Sequence, residues 1–181
     1  MVKNLLSIDI DWVGPPRDAK ELLEVLVPIF KKNKFKKIVL AQSHREINKI
    51  VDTLAEPVYC VNVDHHHDIQ YLQTEPLEAG FLSGNWLGHY MKSGRITGCT
   101  WIANYNSAFN RYQDWRKDFV LLNNDVIDTK LDIKEIAKFD YDYFFMCRSF
   151  HNHEERNWTA LQTFDAIEVI LKNLQNDKNK K

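Results

Sequence analysis

The stretch YCVNVDHHHDIQY, residues 59–71, decides the reading of this chain. Its apolar first half, with Val61 and Val63, reads as a buried strand. It ends in five consecutive ionisable side chains: Asp64, His65, His66, His67 and Asp68. Packing offers no reason for such a cluster, because crowded or buried carboxylates and imidazoles are costly unless a charge or a hydrogen bond offsets them. A metal ion is the simplest compensation. Read at the two-residue period of a strand, Asp64, His66 and Asp68 share one side, and His65 and His67 the other. Two carboxylates and an imidazole on one side make a divalent-metal ligand set.

On the N-terminal side, NLLSIDIDWV (4–13) reads as a strand with Asp9 and Asp11 on one side near its end, stopped by Gly14, Pro15 and Pro16. A helix follows from about Arg17, and Pro28 is expected to kink or end it. The cluster Lys31, Lys32, Lys34, Lys36 and Lys37 reads as a solvated helix end rather than a phosphate site. KIVLA (37–41) is a second strand. Ser43 and Glu46 have capping-box spacing for a helix over 44–55, which puts His44 at the strand tip.

On the C-terminal side, residues 84–94 read as a short helix and 95–104 as a strand. Residues 104–118 read as an aromatic loop, FVLLN (119–123) as a strand, 131–139 as a helix and YFFMC (143–147) as a strand. A closing helix over 158–174 turns Leu161, Phe164, Ile167 and Leu171 inward, and 176–181 is a frayed tail. Strands apolar on both faces, alternating with helices, give an α/β fold with a mainly parallel sheet covered on both sides. The expectation is one domain over 1–175.

Ligands in such folds bind beyond the carboxyl ends of the strands. Asp9 and Asp11 end the first strand, His44 the second, and Asp64, His66 and Asp68 the third, all at one edge of the sheet. Six ligands suit two ions sharing a carboxylate and exceed the needs of one tetrahedral zinc. An oxygen-rich set without thiolate favours manganese, with iron or cobalt as substitutes. A second Asp-x-Asp, at Asp140 and Asp142, precedes its strand and belongs to the opposite edge. Glu154 and Glu155 fall at the correct edge, where a carboxylate can pair with a guanidinium.

These motifs resemble the ureohydrolases, the arginase and agmatinase family. SIDIDWVGPP (7–16) is similar to their Ser-x-Asp-x-Asp-x-x-Asp-Pro motif, and VDHHHD (63–68) to Asp-x-His-x-Asp. LAQSH (40–44) keeps only the histidine of Gly-Gly-Asp-His, and LSGNWLG (82–88) resembles Ser-Gly-Asn-Leu-His-Gly through Ser83, Gly84, Asn85 and Gly88. The resemblance implies a three-layer α/β/α sandwich and manganese-dependent hydrolysis of guanidines to urea and an amine. It implies that His44, Asp64, Asp68 and Asp9 hold one manganese ion and Asp64, His66, Asp9 and Asp11 the other, with Asp64 and Asp9 bridging.

The chain departs from the family in several places. Its Asp-x-Asp strand comes first, which implies a permuted strand order. Gly14-Pro15 replaces the second Asp-Pro, Leu87 replaces the catalytic histidine with His89 two residues on, and the guanidinium-binding glutamate motif has no match. Compact, rearranged enzymes of this kind resemble the peptide arginases of ribosomal-peptide pathways, which convert peptidyl arginine to ornithine and urea. The expected substrate is therefore an arginine-containing peptide or a small guanidino compound. Asp68 is the expected proton relay, His89 the shuttle, and Ser83, Asn85 and Glu154 substrate contacts. Aromatics such as Trp101, Tyr105, Phe109, Tyr112 and Trp115 are candidates to hold a peptide. Three other readings stand beside this one: a free-arginine or agmatine hydrolase, a one-zinc deacetylase of the same fold, and a metal-stabilised binding protein with no activity.

Composition sets the outer bounds. At 181 residues, 44% apolar and 27% charged, the chain has the balance of a globular domain. A net charge of -1 gives no pull toward nucleic acid, and no apolar run is long enough to span a membrane. Cys60, Cys99 and Cys147 read as buried free thiols of a reducing compartment, so a soluble cytoplasmic protein is expected. A homo-oligomer is compatible with the sequence.

Overall fold

A computed structural model describes residues 2–71, 74–104, 127–148 and 158–179. Its strands are β1 (Lys3–Asp9), β2 (Lys37–Ala41), β3 (Val58–Val63), β4 (Ile96–Ile102), β5 (Ile127–Lys130) and β6 (Tyr143–Cys147). They form one six-stranded sheet in the order β2-β6-β1-β3-β4-β5, and every neighbouring pair is parallel. The helices are α1 (Pro16–Lys32), α2 (Asn48–Val51), α3 (Trp86–Lys92) and α4 (Trp158–Asn179).

Alternation along the strands divides the core into two layers. Leu6 and Ile8 of β1, Val61 and Val63 of β3, and Phe144 and Met146 of β6 pack with α1, α4 and a 3-10 turn at Ile133–Lys138. Leu5, Cys60, Cys99, Phe145 and Cys147 face the other way, onto α2 and α3. Helices on both faces of a parallel sheet make the α/β/α layering expected from the strand pattern. The chain leaves β1 toward the α1 face and leaves neighbouring β3 toward the α3 face. That reversal opens a crevice between their carboxyl ends, the usual ligand position in open α/β sheets.

Several elements differ from the sequence reading. β1 stops at Asp9 instead of continuing to 13, because Asp9 Oδ1 accepts the Asp11 N–H at 3.1 Å and caps a 3-10 turn at Ile10–Trp12. The expected Ser43–Glu46 capping box is present, but it starts a 3-10 turn at His44–Ile47 that α2 extends only to Val51. α1 runs through Pro28 to Lys32, since Pro28 and Glu24, whose carbonyl loses its partner, both face solvent. On α4, Ala160 and Phe164 take the inner face and Leu161 is only half buried, and the helix continues to Asn179 into the expected tail. The short edge strand β5, IDTK, is too polar to announce itself by an apolar run.

The expected strand at 119–123, the aromatics Tyr105, Phe109, Tyr112 and Trp115, and Glu154 and Glu155 lie outside the described residues. Trp101 is not part of a peptide-holding loop. It sits in β4, fully buried, and its Nε1 donates to Asp64 O at 3.0 Å. Asp140 and Asp142 lie at the amino edge, where Lys32 and Lys36 pair with them at 2.5 and 2.6 Å. Those pairs also account for part of the lysine cluster. No described helix is long and apolar enough to cross a membrane.

Candidate metal centre

Three strand ends and one turn build the centre. β1 presents Ser7 and Asp9 to the α3 face, alternating with Leu6 and Ile8, and its 3-10 turn carries Asp11 back over the edge. Ser43 caps the turn after β2 and fixes His44 at its first position. β3 ends at Val63, and Asp64 follows at once. Residues 64–68 are irregular rather than a continued strand, so period-two alternation does not bring Asp64, His66 and Asp68 together. The chain turns instead, with Asp68 in the left-handed region at φ 54°.

α3 holds that turn. The Leu87 and Gly88 N–H groups donate to Asp68 O at 3.0 and 3.3 Å. A Cβ at Gly88 would stand 1.9 Å from Ile69 O, so only glycine allows the helix this approach.

His44 is the centre of the buried group. Its ring, 2% exposed, stacks on Phe145 and lies 4.7 Å from the Trp86 ring, centroid to centroid. Nε2 is 2.9 Å from Ser7 Oγ. Nδ1 lies 2.9 Å from Asp68 Oδ2, 3.2 Å from Asp64 Oδ2 and 3.3 Å from Asp9 Oδ2, yet it is aligned for a hydrogen bond with none of them. Donor atoms bonded at roughly 2.1 Å around one octahedral ion are about 3.0 Å apart, which is the spacing found here. A proton on Nε2, given to Ser7, leaves the Nδ1 lone pair for such an ion.

A second group lies beside it. His66 Nδ1 is 3.1 Å from Asp11 Oδ2 and 3.8 Å from Asp64 Oδ1. Asp64 thus points Oδ2 at the His44 group and Oδ1 at the His66 group. Asp9 belongs to the His44 side alone: its Oδ2 faces His44, its Oδ1 accepts the Asp11 N–H, and it is not among the ligand atoms gathered around His66. The buried donors fit one divalent ion, and Asp11, His66 and Asp64 fit a second, more exposed one.

Protonation follows from the crowding. Burial, then Asp68, Asp11 and Asp9, push the Asp64 carboxyl well above its usual range, against the pull of His44. Burial alone would push His44 down, but Asp64, Asp68 and Asp9 outweigh it and raise the imidazole well above its usual value. For His66 burial again opposes, and Asp11 leads the carboxylates that push it up to about 10.

The other expected site residues are placed differently. Asn85 is fully buried and committed: Oδ1 accepts the Leu82 N–H, and Nδ2 donates to Pro76 O and Gly80 O. It pins the loop before α3 and has no group left for substrate. His89 bonds Gly80 O through Nε2 and faces a separate cavity of about 300 Å³ with Asp52 and Tyr90, so it is not the proton shuttle of the carboxylate cluster. Leu87 is buried in the apolar layer. Ser83 Oγ is 3.2 Å from Ser43 Oγ, beside the turn that carries His44. His67 is buried, accepts the Ile69 N–H and stacks on Tyr71.

Sequence reasoning gave no role here to three residues, Ser7, Asn62 and Trp86, whereas Cys147 is the buried free thiol expected. Asn62 Nδ2 donates to Asp64 Oδ2 at 3.4 Å. Ser7 carries a faint signal, since it alternates with Asp9 on an otherwise apolar strand. Trp86 Nε1 donates to Asp68 Oδ2 at 2.6 Å while its ring covers His44. Trp86→Phe keeps the aromatic cover and removes that hydrogen bond. It is expected to weaken metal binding by roughly 10- to 100-fold, the usual cost of losing a group that orients a ligand. Titration of the metal-free variant checks this, and unchanged affinity would show that the indole N–H does not position Asp68.

Searches of protein-family models, curated proteins and solved structures find no match to this chain.

Proposed function

We propose that this chain is a two-metal hydrolase acting on the guanidinium group of an arginine side chain, held within a peptide, to give ornithine and urea. The observation that carries this reading is the pair of ligand groups sharing Asp64, with the buried Nδ1 of His44 aimed at three carboxylates. Manganese is the proposed ion, with iron or cobalt as substitutes. When bound, the two ions supply the Lewis acidity that lets water act as a nucleophile at neutral pH.

The chain's own residues do the rest. Asp64 spaces the two positions, Ser7 keeps His44 in the ligating tautomer, and Trp86 shields the inner position from solvent. Asp68 takes the proton of the attacking water and passes it to the departing nitrogen as the Cζ–Nε bond breaks. The outer position is open, with the His66 and Asp11 side chains 42% and 22% exposed. That opening supports entry of a side chain still attached to a peptide.

Metal analysis of the purified protein, run beside a urea assay, tests the proposal. About two ions per chain and urea from an arginyl peptide are expected. Urea from free arginine or agmatine alone would remove the peptide from the reading. Two bound ions with no urea from any substrate would leave a metal-stabilised binding protein. A one-metal deacetylase is the second reading, favoured by the deeper burial of His44, Asp64 and Asp68 relative to His66. One ion per chain and acetate release from acetyl-lysine peptides would select it.

A further inference from the structure

We propose that Cys147 is a ligand of the inner ion, making the His44 position a mixed sulfur, nitrogen and oxygen site for a softer divalent ion such as zinc, cobalt or ferrous iron. The inference rests on the metal-centre reading above and revises it at one position: manganese stays with the outer group, and a softer ion takes the inner one.

The sheet register places the sulfur. Cys147 is the last residue of β6, which lies between β2 and β1, and it pairs with Asp9 on one side and Ala41 on the other. Asp9 begins the ligand cluster, and Ala41 precedes the turn that carries His44. Cys147 faces the α3 layer, as His44 does, and is fully buried. The ligand atoms of Asp9, His44 and Cys147 all lie within 4.8 Å of one another. A second observation concerns the same histidine: Nδ1 of His44, on a ring only 2% exposed, lies 3.3 Å from the carboxylate of Asp9, the residue that pairs with Cys147 in the sheet, yet has no aligned hydrogen bond.

Of the three cysteines, Cys147 alone lies among candidate ligand atoms of the described residues. Cys60 and Cys99 pair with each other across β3 and β4, within the apolar layer. Coordination would displace the Cys147 thiol proton to solvent, since a thiol bound to a divalent ion is held as thiolate. Thiolate favours zinc, cobalt or iron over manganese, whereas the outer group of Asp11, His66 and Asp64 keeps the harder preference. The two positions would then differ in metal identity.

Cobalt is the probe. Wild-type protein loaded with cobalt(II) is expected to hold about two ions per chain and to show a thiolate-to-cobalt charge-transfer band in the near ultraviolet. Cys147→Ser should lose the band and bind zinc at the inner position at least tenfold more weakly. X-ray absorption of the zinc-loaded wild type needs no variant, and should show a sulfur scatterer at about 2.3 Å. Bound cobalt without the band or without a sulfur scatterer would overturn the inference and leave the metal centre standing, with Cys147 a neutral thiol beside Asp9. A band surviving in Cys147→Ser would also overturn it. Failure to bind any ion would overturn the centre and the inference together.

Discussion

Asp64→Asn is expected to abolish binding at both metal positions and to remove hydrolytic activity entirely. Among the described residues Asp64 is the one carboxylate whose two oxygens face different ligand groups, Oδ2 toward His44 and Oδ1 toward His66. An amide keeps the shape but replaces two anionic donors with one neutral oxygen and an NH₂ group. Losing a residue that merely orients a ligand costs roughly 10- to 100-fold in affinity, and losing a shared ligand should exceed that at each position.

The metal-free fold should hardly notice. Burial and three neighbouring carboxylates push the Asp64 carboxyl well above the usual range against the pull of His44, so an amide there relieves charge crowding in the metal-free centre. The thermal midpoint of chelated Asp64→Asn is expected within about 4 °C of chelated wild type, a shift on the order of 1 kcal/mol. Metal analysis, a urea assay and paired melts give all three quantities. Two ions still bound to the variant would disprove the shared role of Asp64.

The gathering of these acids and histidines at one edge could be read from sequence because a parallel sheet leaves few choices. Once the strands are placed, acids and histidines at their carboxyl ends must share one edge. Asp9, His44 and Asp64 follow from that rule alone, and the Ser43–Glu46 capping box marks the turn that carries His44. The detailed route to the site was less legible. Asp64, His66 and Asp68 converge, but through a turn with Asp68 left-handed and not by strand alternation. Locally, Asp64 Oδ1 accepts the His66 N–H at 2.8 Å and His67 Nδ1 the Ile69 N–H at 3.1 Å, but the turn is not held by these alone. It depends on α3 docking its first N–H groups onto Asp68 O, at a distance that Gly88 permits.

Other polar groups beside the cluster were hidden for a related reason. A serine or cysteine inside an apolar strand carries at most a faint pattern, as Ser7 does by alternating with Asp9. Ser7 becomes legible only when His44 folds back over β1, and Cys147 only when β6 is found between β1 and β2. His89 and Asn85 show the converse. Motif spacing suggested Asn85 as a substrate contact, and His89 nearby was the expected shuttle, but Gly80 O and Pro76 O fold back to take their donors. The loop before α3 uses them as internal hydrogen-bond partners.

The second large effect is an opposite pH response of the metal-free and metal-loaded protein. In the metal-free fold His44 is held well above its usual value and His66 is pushed up to about 10, both by surrounding carboxylates working against burial. The unfolded chain releases those protons near about pH 6.5, so the folded state binds more protons from there toward pH 10. Stability from these groups is fully present below about pH 6.5 and is lost as pH rises through the folded values. The His66 ring is 42% exposed, so solvent screens part of its share, and buried His44 carries more.

Ions require both imidazoles unprotonated, so loading displaces protons. Apparent affinity should then rise with pH by up to about tenfold per unit for each proton displaced. Tighter binding stabilises the fold by mass action. Between roughly pH 6.5 and 9, the melting temperature of chelated protein should fall, while the gain in melting temperature from excess manganese should grow. A metal-induced gain that stays constant across that range would mean that loading displaces no protons, which is incompatible with His44 and His66 as ligands.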